Sequence, residues 1–355
     1  MKKALTLATL AFAAYLTGTI PRANATEYAL PAADSRIIGE NITVTVDNSG
    51  GSLEAIAATY KIGLLGMLEA NPGTDPYLPH PGTVLTVPTQ MLLPDAPREG
   101  IVINLAELRL YYYPPDKNSV IVYPIGIGQL GRNTPVMTTS IMQKIPNPTW
   151  TPTANIRKHY LAEQGITLPA VVPAGPDNPM GLFALRMAAG RGVYLIHGTN
   201  ANFGIGMRVS SGCIRLRPDD IEALFEQVPV GTKVRVVNEA VKVALEPDGK
   251  RYIEVHQPLS RNEKDDPQTM HINLTSKVKH FLAEDNTDQS MVHEAMMRRS
   301  GMPVLISTGV LAETLPQNIT STPRVSPEVM DATHTVEVTH LNTSASLAPG
   351  DDNTH

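Results

Sequence analysis

The sequence predicts a mainly β protein, and three observations carry that reading. From Ile101 to Val237 short apolar runs succeed one another: IVINL, LRLYYY, VIVYPI, VYLIH and KVRVV. Runs of this length, rich in Val, Ile and Tyr and bounded by Gly, Pro and Asn clusters, read as strands. A single helix stands out among them, at 219–228. Pro218 precedes it, Asp219 and Asp220 occupy its first turn, and Ile221, Leu224, Phe225 and Val228 form its inward face. Finally, 30 of the 355 residues are proline, which suits edge strands and ordered loops better than helical bundles.

The N-terminus opens with Lys2 and Lys3, continues through an apolar run from Ala4 to Ile20, and reaches Pro21 and then Ala23-Asn24-Ala25. That order is expected of a secretory signal peptide spanning 1–25, cut after the small-x-small triplet. The apolar run sits at the short limit of the ~17–25 residues that cross a bilayer. No cysteine follows it for lipid attachment. Cleavage removes Lys2, Lys3 and Arg22 and no acid, so the net charge goes from −5 to −5 − 3 = −8. Such acidity disfavours nucleic acid as a partner. The expected location is the periplasm, an oxidising space.

Next comes a small unit at 40–90. Ile42-Thr-Val-Thr-Val46 alternates as a strand, and Ser52 can cap a helix with Leu53, Ile56, Ala57 and Tyr60 on its apolar face. A second short helix near 64–70 stops at Asn71-Pro-Gly73, and 82–88 reads as the closing strand. With "LEAIAATYKI", "MLEANPG" and "PGTVLTVP", this β-α-α-β unit resembles a LysM module, a family that binds N-acetylglucosamine-containing glycans. The insertion 74–80 disturbs the region of the sugar groove. A Pro-rich linker follows at 91–99, then the β-rich domain at 100–238. An extension at 239–310 holds the strand RYIEVHQPL and a helical stretch near 290–299. The tail at 311–355, rich in Thr, Ser, Asn and Pro without periodicity, is expected to be disordered.

Two motifs point away from their usual chemistry. Gly126-Ile-Gly128-Gln-Leu-Gly131 has dinucleotide-site spacing, but no helical period follows to face a pyrophosphate. The glycines are expected to allow a tight strand-to-loop bend. The ten histidines are scattered without paired spacing, so neither a metal nor any other cofactor is expected. His256, His271 and His280 read as surface residues.

The chain contains one cysteine, Cys213, within Ser210-Ser-Gly-Cys-Ile-Arg215. A lone thiol in an oxidising compartment makes no internal disulfide and is exposed to oxidation. A free thiol of pKa ~8.5 is largely protonated at neutral pH, so a nucleophilic role needs a base within reach. His197 is the candidate, ending the apolar run Val193-Tyr-Leu-Ile196 and followed by Gly198. Gly212 frees a backbone for an oxyanion hole. Spacing alone leaves open the alternative, a buried Cys and a strand-end His that never meet.

The linked elements "NPMG" (178–181), "IHGT" (196–199) and "SSGCIRL" (210–216) resemble the YkuD-type L,D-transpeptidases. The likeness extends through "GIVINLAELRLYYYPPDKNSVIVYPIGIGQLG" and "PNPTWTPTANIR", and is similar to the periplasmic ErfK/YbiS/YcfS group, which attaches Braun lipoprotein to peptidoglycan. The resemblance implies a YkuD-like β-sandwich catalytic domain preceded by the LysM module. It implies Cys213 as nucleophile, His197 as general base and acid, and the Gly198 carbonyl orienting the imidazole. Amides of Gly212 and Cys213 would bind the oxyanion, and Arg215, Ser211, Tyr194 and Met180 would contact substrate. Many relatives carry His where this chain has Ser211. The implied partners are peptidoglycan tetrapeptide stems, the C-terminal Lys of a Braun-type lipoprotein, and a periplasmic thiol reductase that restores oxidised Cys213. Diaminopimelate amines or water are alternative acceptors, and a glycan-binding scaffold without catalysis is the alternative of another class.

Overall fold

The computed structural model describes residues 26–48, 50–200 and 204–309. The expected signal peptide and tail lie outside these residues. Among the described residues no helix is long and apolar enough to cross a membrane.

The N-terminal elements are β1 (Thr26–Ala29), β2 (Ile37–Ile38), β3 (Ile42–Thr45), α1 (Leu53–Thr59), α2 (Leu64–Ala70), β4 (Val84–Val87) and β5 (Met91–Leu92). The Ser52 hydroxyl caps α1, accepting from the Ala55 amide at 3.2 Å. Leu53 and Ala57 are fully buried and join Val46, Met67, Leu85 and Val87 in a small core, with Ile56 and Tyr60 at its margin. β3 and β4 pair antiparallel, Ile42 opposite Val87. Asn71 stitches the unit shut: its Nδ2 donates to the carbonyls of Met67 and Thr86, and the Thr86 amide donates back to Oδ1 at 2.7 Å. The β-α-α-β order read from the sequence is present. The 74–80 insertion leaves Tyr77 and Leu78 exposed.

The next stretch contains β6 (Gly100–Asn104), β7 (Arg109–Tyr113), β8 (Ser119–Pro124), β9 (Ile127–Gly128), β10 (Met137–Pro146), α3 (Ala154–Gln164), β11 (Phe183–Met187), β12 (Leu195–His197), β13 (Arg208–Ser210), β14 (Ile214–Arg215), α4 (Pro218–Gln227) and β15 (Lys233–Val237). One nine-stranded sheet runs β1-β8-β7-β6-β15-β10-β11-β12-β14. β10 belongs to both of its halves: Met137–Ser140 pair with β15, whereas Ile141 and Gln143–Pro146 pair with β11. The register shift between Ile141 and Gln143 bends the strand there. The fold is therefore mainly β. Ile101, Ile103, Leu110 and Tyr123 from one half meet Leu185, Ile196 and Ile214 from the other, with Ile221, Leu224 and Val228 of α4 in the same core.

Three differences from the sequence reading stand out here. α3 was not expected, because its apolar residues form no face that packs inward; Leu161 is 55% exposed. Its stop signals are ordinary all the same: Thr153 caps the start and Gly165 ends it in the left-handed region at φ 67°. β10 carries the polar sequence MTTSIMQKIP and lacks the apolar run that marks its neighbours. The strand leading to His197 begins only at Leu195, since a 3-10 turn at Ala189–Gly192 leads the chain in.

The C-terminal stretch folds as β16 (Val241–Leu245), β17 (Arg251–Val255), α5 (Ser276–Leu282), α6 (Gln289–Arg298) and β18 (Pro303–Leu305), a three-stranded antiparallel sheet with two capped helices. His256 corrects the surface expectation. It is 2% exposed, with Nε2 2.7 Å from Glu254 and Nδ1 3.1 Å from Glu69 of α2. Lys242 lies between Glu107 (3.0 Å) and Glu254 (2.8 Å), all fully buried, and Arg109 adds a second cation against Glu107 at 3.2 Å. Glu107, Glu254 and His256 converge closely enough to suggest a metal site, but the Lys242 ammonium already lies between the two carboxylates. His271 and His280 are exposed.

Candidate active site

β11, β12 and β14 present the site on one face of the sheet. Cross-strand partners share a face and alternate residues turn away from it. Leu185, Ile196 and Ile214 stand opposite one another and are fully buried in the core. The rows on either side therefore face outward. One is Ala184–His197–Arg215, and the other, extending the register by one residue, is Arg186–Leu195–Cys213. His197 and Cys213, sixteen residues apart in sequence, thus reach adjacent strands and the same face.

The His197 ring is buried, with Nδ1 2.7 Å from the Gly198 carbonyl. A carbonyl only accepts, so Nδ1 carries the proton and Nε2 keeps its lone pair. Burial, reinforced by the Arg215 charge, holds the imidazolium down at about 4 against the opposing hydrogen bonds of Gly198 and Met180. Burial pushes the Cys213 thiol up; the Leu195 amide and Arg215 offset part of this. With the imidazolium held down and the thiol pushed up, the two groups rest as neutral imidazole and thiol at neutral pH. The thiol also approaches the Val193 carbonyl at 3.9 Å.

Glycines make the local geometry possible. Gly212 takes φ 106°, a value that L side chains rarely adopt. A Cβ on Gly126 would lie 2.7 Å from the Gly204 carbonyl oxygen, and the Gly126 backbone exchanges two hydrogen bonds with Arg215. No helix starts at the 126–131 glycines: Gly126 bridges to Arg215, Gly128 ends β9, and Gly131 lies in the turn that follows.

The structure sorts the expected residues. Cys213, His197, Arg215, Ser211 and Met180 line one cleft of about 460 Å³. Ser211 accepts a hydrogen bond from Arg132 at 3.1 Å. The Gly212 amide, expected at the oxyanion, donates instead to the Ser210 hydroxyl at 3.1 Å. Tyr194 packs against the core beneath Gly190 and Gly212 and does not line the cleft. Sequence reasoning missed Trp150, Ile156 and Tyr160 of the 148–178 segment and Arg186, all of which line the cleft. Asn178 pins that segment: 1% exposed, it donates to the Pro148 (2.8 Å) and Pro173 (3.0 Å) carbonyls and accepts from the Met180 amide. Trp150 and Val172 exchange two backbone hydrogen bonds that close its base.

The loop joining His197 to Cys213 also touches the N-terminal unit. The Leu64 and Leu65 amides, at the start of α2, donate to the Ile205 and Gly206 carbonyls. Gly63 and Gly206 pass so closely that a Cβ on either would lie under 3 Å from the other's backbone. Nearby, Lys61 pairs with Asp219 and Asp220, and Arg217 donates to the Ile62 carbonyl at 2.8 Å.

A bent β domain that sets one thiol beside a carbonyl-held imidazole defines the class, and comparison with known proteins specifies it. The family model of the L,D-transpeptidase catalytic domain (YkuD) matches residues 98–236, and that of the L,D-transpeptidase C-terminal domain matches 240–306. The chain belongs to the L,D-transpeptidase family, whose members are enzymes. It is 62% identical over 295 residues to "Probable L,D-transpeptidase YcfS" of Escherichia coli strain K12, covering 82% of this chain and 92% of that one. "Probable L,D-transpeptidase ErfK/SrfK" of the same strain is 54% identical, over 80% of this chain and 92% of that one. "Probable L,D-transpeptidase YbiS", also of that strain, is 53% identical, over 86% and 99%.

Proposed function

We propose that this enzyme cleaves the diaminopimelate–D-Ala bond of peptidoglycan tetrapeptide stems and passes the acyl group to the C-terminal Lys of a Braun-type lipoprotein. The carrying observation is the buried, neutral His197 ring, its Nδ1 held by the Gly198 carbonyl, on the sheet face that also bears Cys213. Nε2 takes the thiol proton as sulfur attacks the carbonyl on the L-centre of diaminopimelate. The same proton goes to the departing D-Ala nitrogen, leaving a thioester. The Lys amine then attacks, His197 accepts its proton, and the thiol is restored. The Cys213 amide serves the oxyanion, and Arg215 takes a donor carboxylate, for which its planar fork is suited.

This reading places the enzyme in the periplasm after removal of 1–25, with the LysM-like unit at 40–90 held to glycan, the linker at 91–99 and catalysis at 100–238. Sulfenylated Cys213 would require a periplasmic thiol reductase. Mass spectrometry of the mature protein with a disaccharide-tetrapeptide and a peptide ending in Lys tests the scheme. Loss of D-Ala, a thioester on Cys213 and joining to the Lys peptide are expected, with none of these in Cys213→Ala. Joining of two stems, or release of D-Ala alone, would reassign the acceptor to diaminopimelate or water. No thioester and no product would return the protein to a glycan-binding scaffold.

A further inference from the structure

We infer that Arg186 is a second carboxylate receptor of the cleft, reading the free carboxylate at the far end of the donor's diaminopimelate side chain. The inference rests on the donor assignment proposed above. Arg186 shares its row with Leu195 and Cys213, and Arg215 shares the next row with His197, so the two arginines stand at opposite corners of the patch that carries the catalytic pair. With strands ~4.8 Å apart, the Arg186 backbone lies about 10 Å from that of Cys213, within an arginine's reach of a group held over the thiol. Among the described residues no Asp or Glu lines the cleft. The Arg186 Nε is buried without a hydrogen-bond partner, and so is that of Arg215. Two cations facing one cleft with no carboxylate of the protein between them form a receptor for a ligand that brings two.

The match of near and far follows from the donor's chemistry. The D-Ala carboxylate sits just past the scissile nitrogen, whereas the second diaminopimelate carboxylate ends a flexible chain. Arg215 is near enough for its charge to act on both His197 and Cys213. It is therefore the partner of the near carboxylate. Arg186, one strand further out, takes the remote one. Its stem leans on the turn at Gly192, where an added Cβ would lie 3.2 Å from the arginine's Cδ, and this contact limits where the guanidinium can point.

The test compares Arg186→Met and Arg186→Lys with wild type on three tetrapeptide donors: unmodified, amidated on the remote diaminopimelate carboxyl, and ending in D-alaninamide. On the unmodified donor, Arg186→Met is expected to lose about 30-fold in kcat/KM, mostly through KM, as for a charge-assisted contact. Amidating the remote carboxyl should cost wild type a similar factor and cost Arg186→Met almost nothing further. The D-alaninamide loss should stay undiminished in the variant, and Arg186→Lys should recover part of the activity. Unchanged Cys213 alkylation and melting temperature show that the variant is folded. Equal losses by Arg186→Met on all three donors would overturn the role, as would non-additivity with D-alaninamide in place of the amidated side chain. Wild type inactive on every donor would instead overturn the donor assignment, and the Arg186 role with it.

Discussion

In the proposed mechanism one backbone carbonyl, that of Gly198, takes the place of the carboxylate in a three-residue catalytic set. Gly198 fixes the tautomer without adding a negative charge that would stabilise imidazolium, and burial and Arg215 do the rest. The kcat/KM of this enzyme should accordingly hold steady down to about pH 5 and fall only near pH 4, where the ring protonates. Arg215→Met removes the second of the two causes and leaves burial in place, so the acid limb should move up by about one pH unit. An unmoved limb in a pH–rate series would show that Arg215 does not act on the ring. Much of this was legible in the sequence, since His-Gly and Ser-Ser-Gly-Cys-Ile-Arg fix the pair and the basic residue beside it. The occupied Gly212 amide was not legible, because it depends on the rotamer of Ser210. Nor was Arg186, whose significance appears only when the register places it level with Cys213.

At the scale of elements, the bend in β10 and the segment 148–178 shape the cleft. Periodicity found the strands buried on one or both faces and missed β10, where Thr, Ser, Gln and Lys interrupt the apolar residues. It also missed α3, whose exposed apolar residues satisfy no inward face. Yet the anchor of that segment, Asn178, belongs to "NPMG", one of the elements that carry the family likeness. Asn178→Ala leaves the Pro148 and Pro173 carbonyls without their donor, at a cost of about 1–3 kcal/mol. We expect a lower denaturant midpoint, a raised KM, and faster alkylation of Cys213 as the covering segment loosens. Unchanged alkylation kinetics would separate the anchor from access to the cleft.

Across the whole molecule, charge is buried where three stretches of chain meet: Glu69 from the N-terminal unit, Glu107 and Arg109 from the β domain, and Lys242, Glu254 and His256 from the C-terminal one. Burial alone would push His256 down, but its hydrogen bonds to Glu254 and Glu69 outweigh it and hold the ring up at about 9. A pKa raised on folding gives stability that is full below the unfolded value, ~6.5, and is lost as pH climbs through about 9. Unfolding free energy should thus decline by on the order of 3 kcal/mol between pH 6.5 and 10. His256→Gln should be weaker at pH 6 and lack that alkaline decline. A variant that kept the decline would place its source elsewhere. None of this network was visible in sequence, since its members are separated by as many as 188 residues, the span from Glu69 to Gln257, whose amide also binds Glu69.

The crossing of Gly63 and Gly206 limits how this architecture can change over time. The N-terminal unit is not an interchangeable cassette: its second helix supplies amides to the very loop that carries the chain from histidine to cysteine. A lineage that exchanged this unit for another would have to bring along a glycine at the matching point and donors for two carbonyls, or rebuild the loop. The N-terminal unit and the β domain should therefore be exchanged only together, and recombination between relatives should be tolerated at the outer edges of this fold far better than at the seam between them.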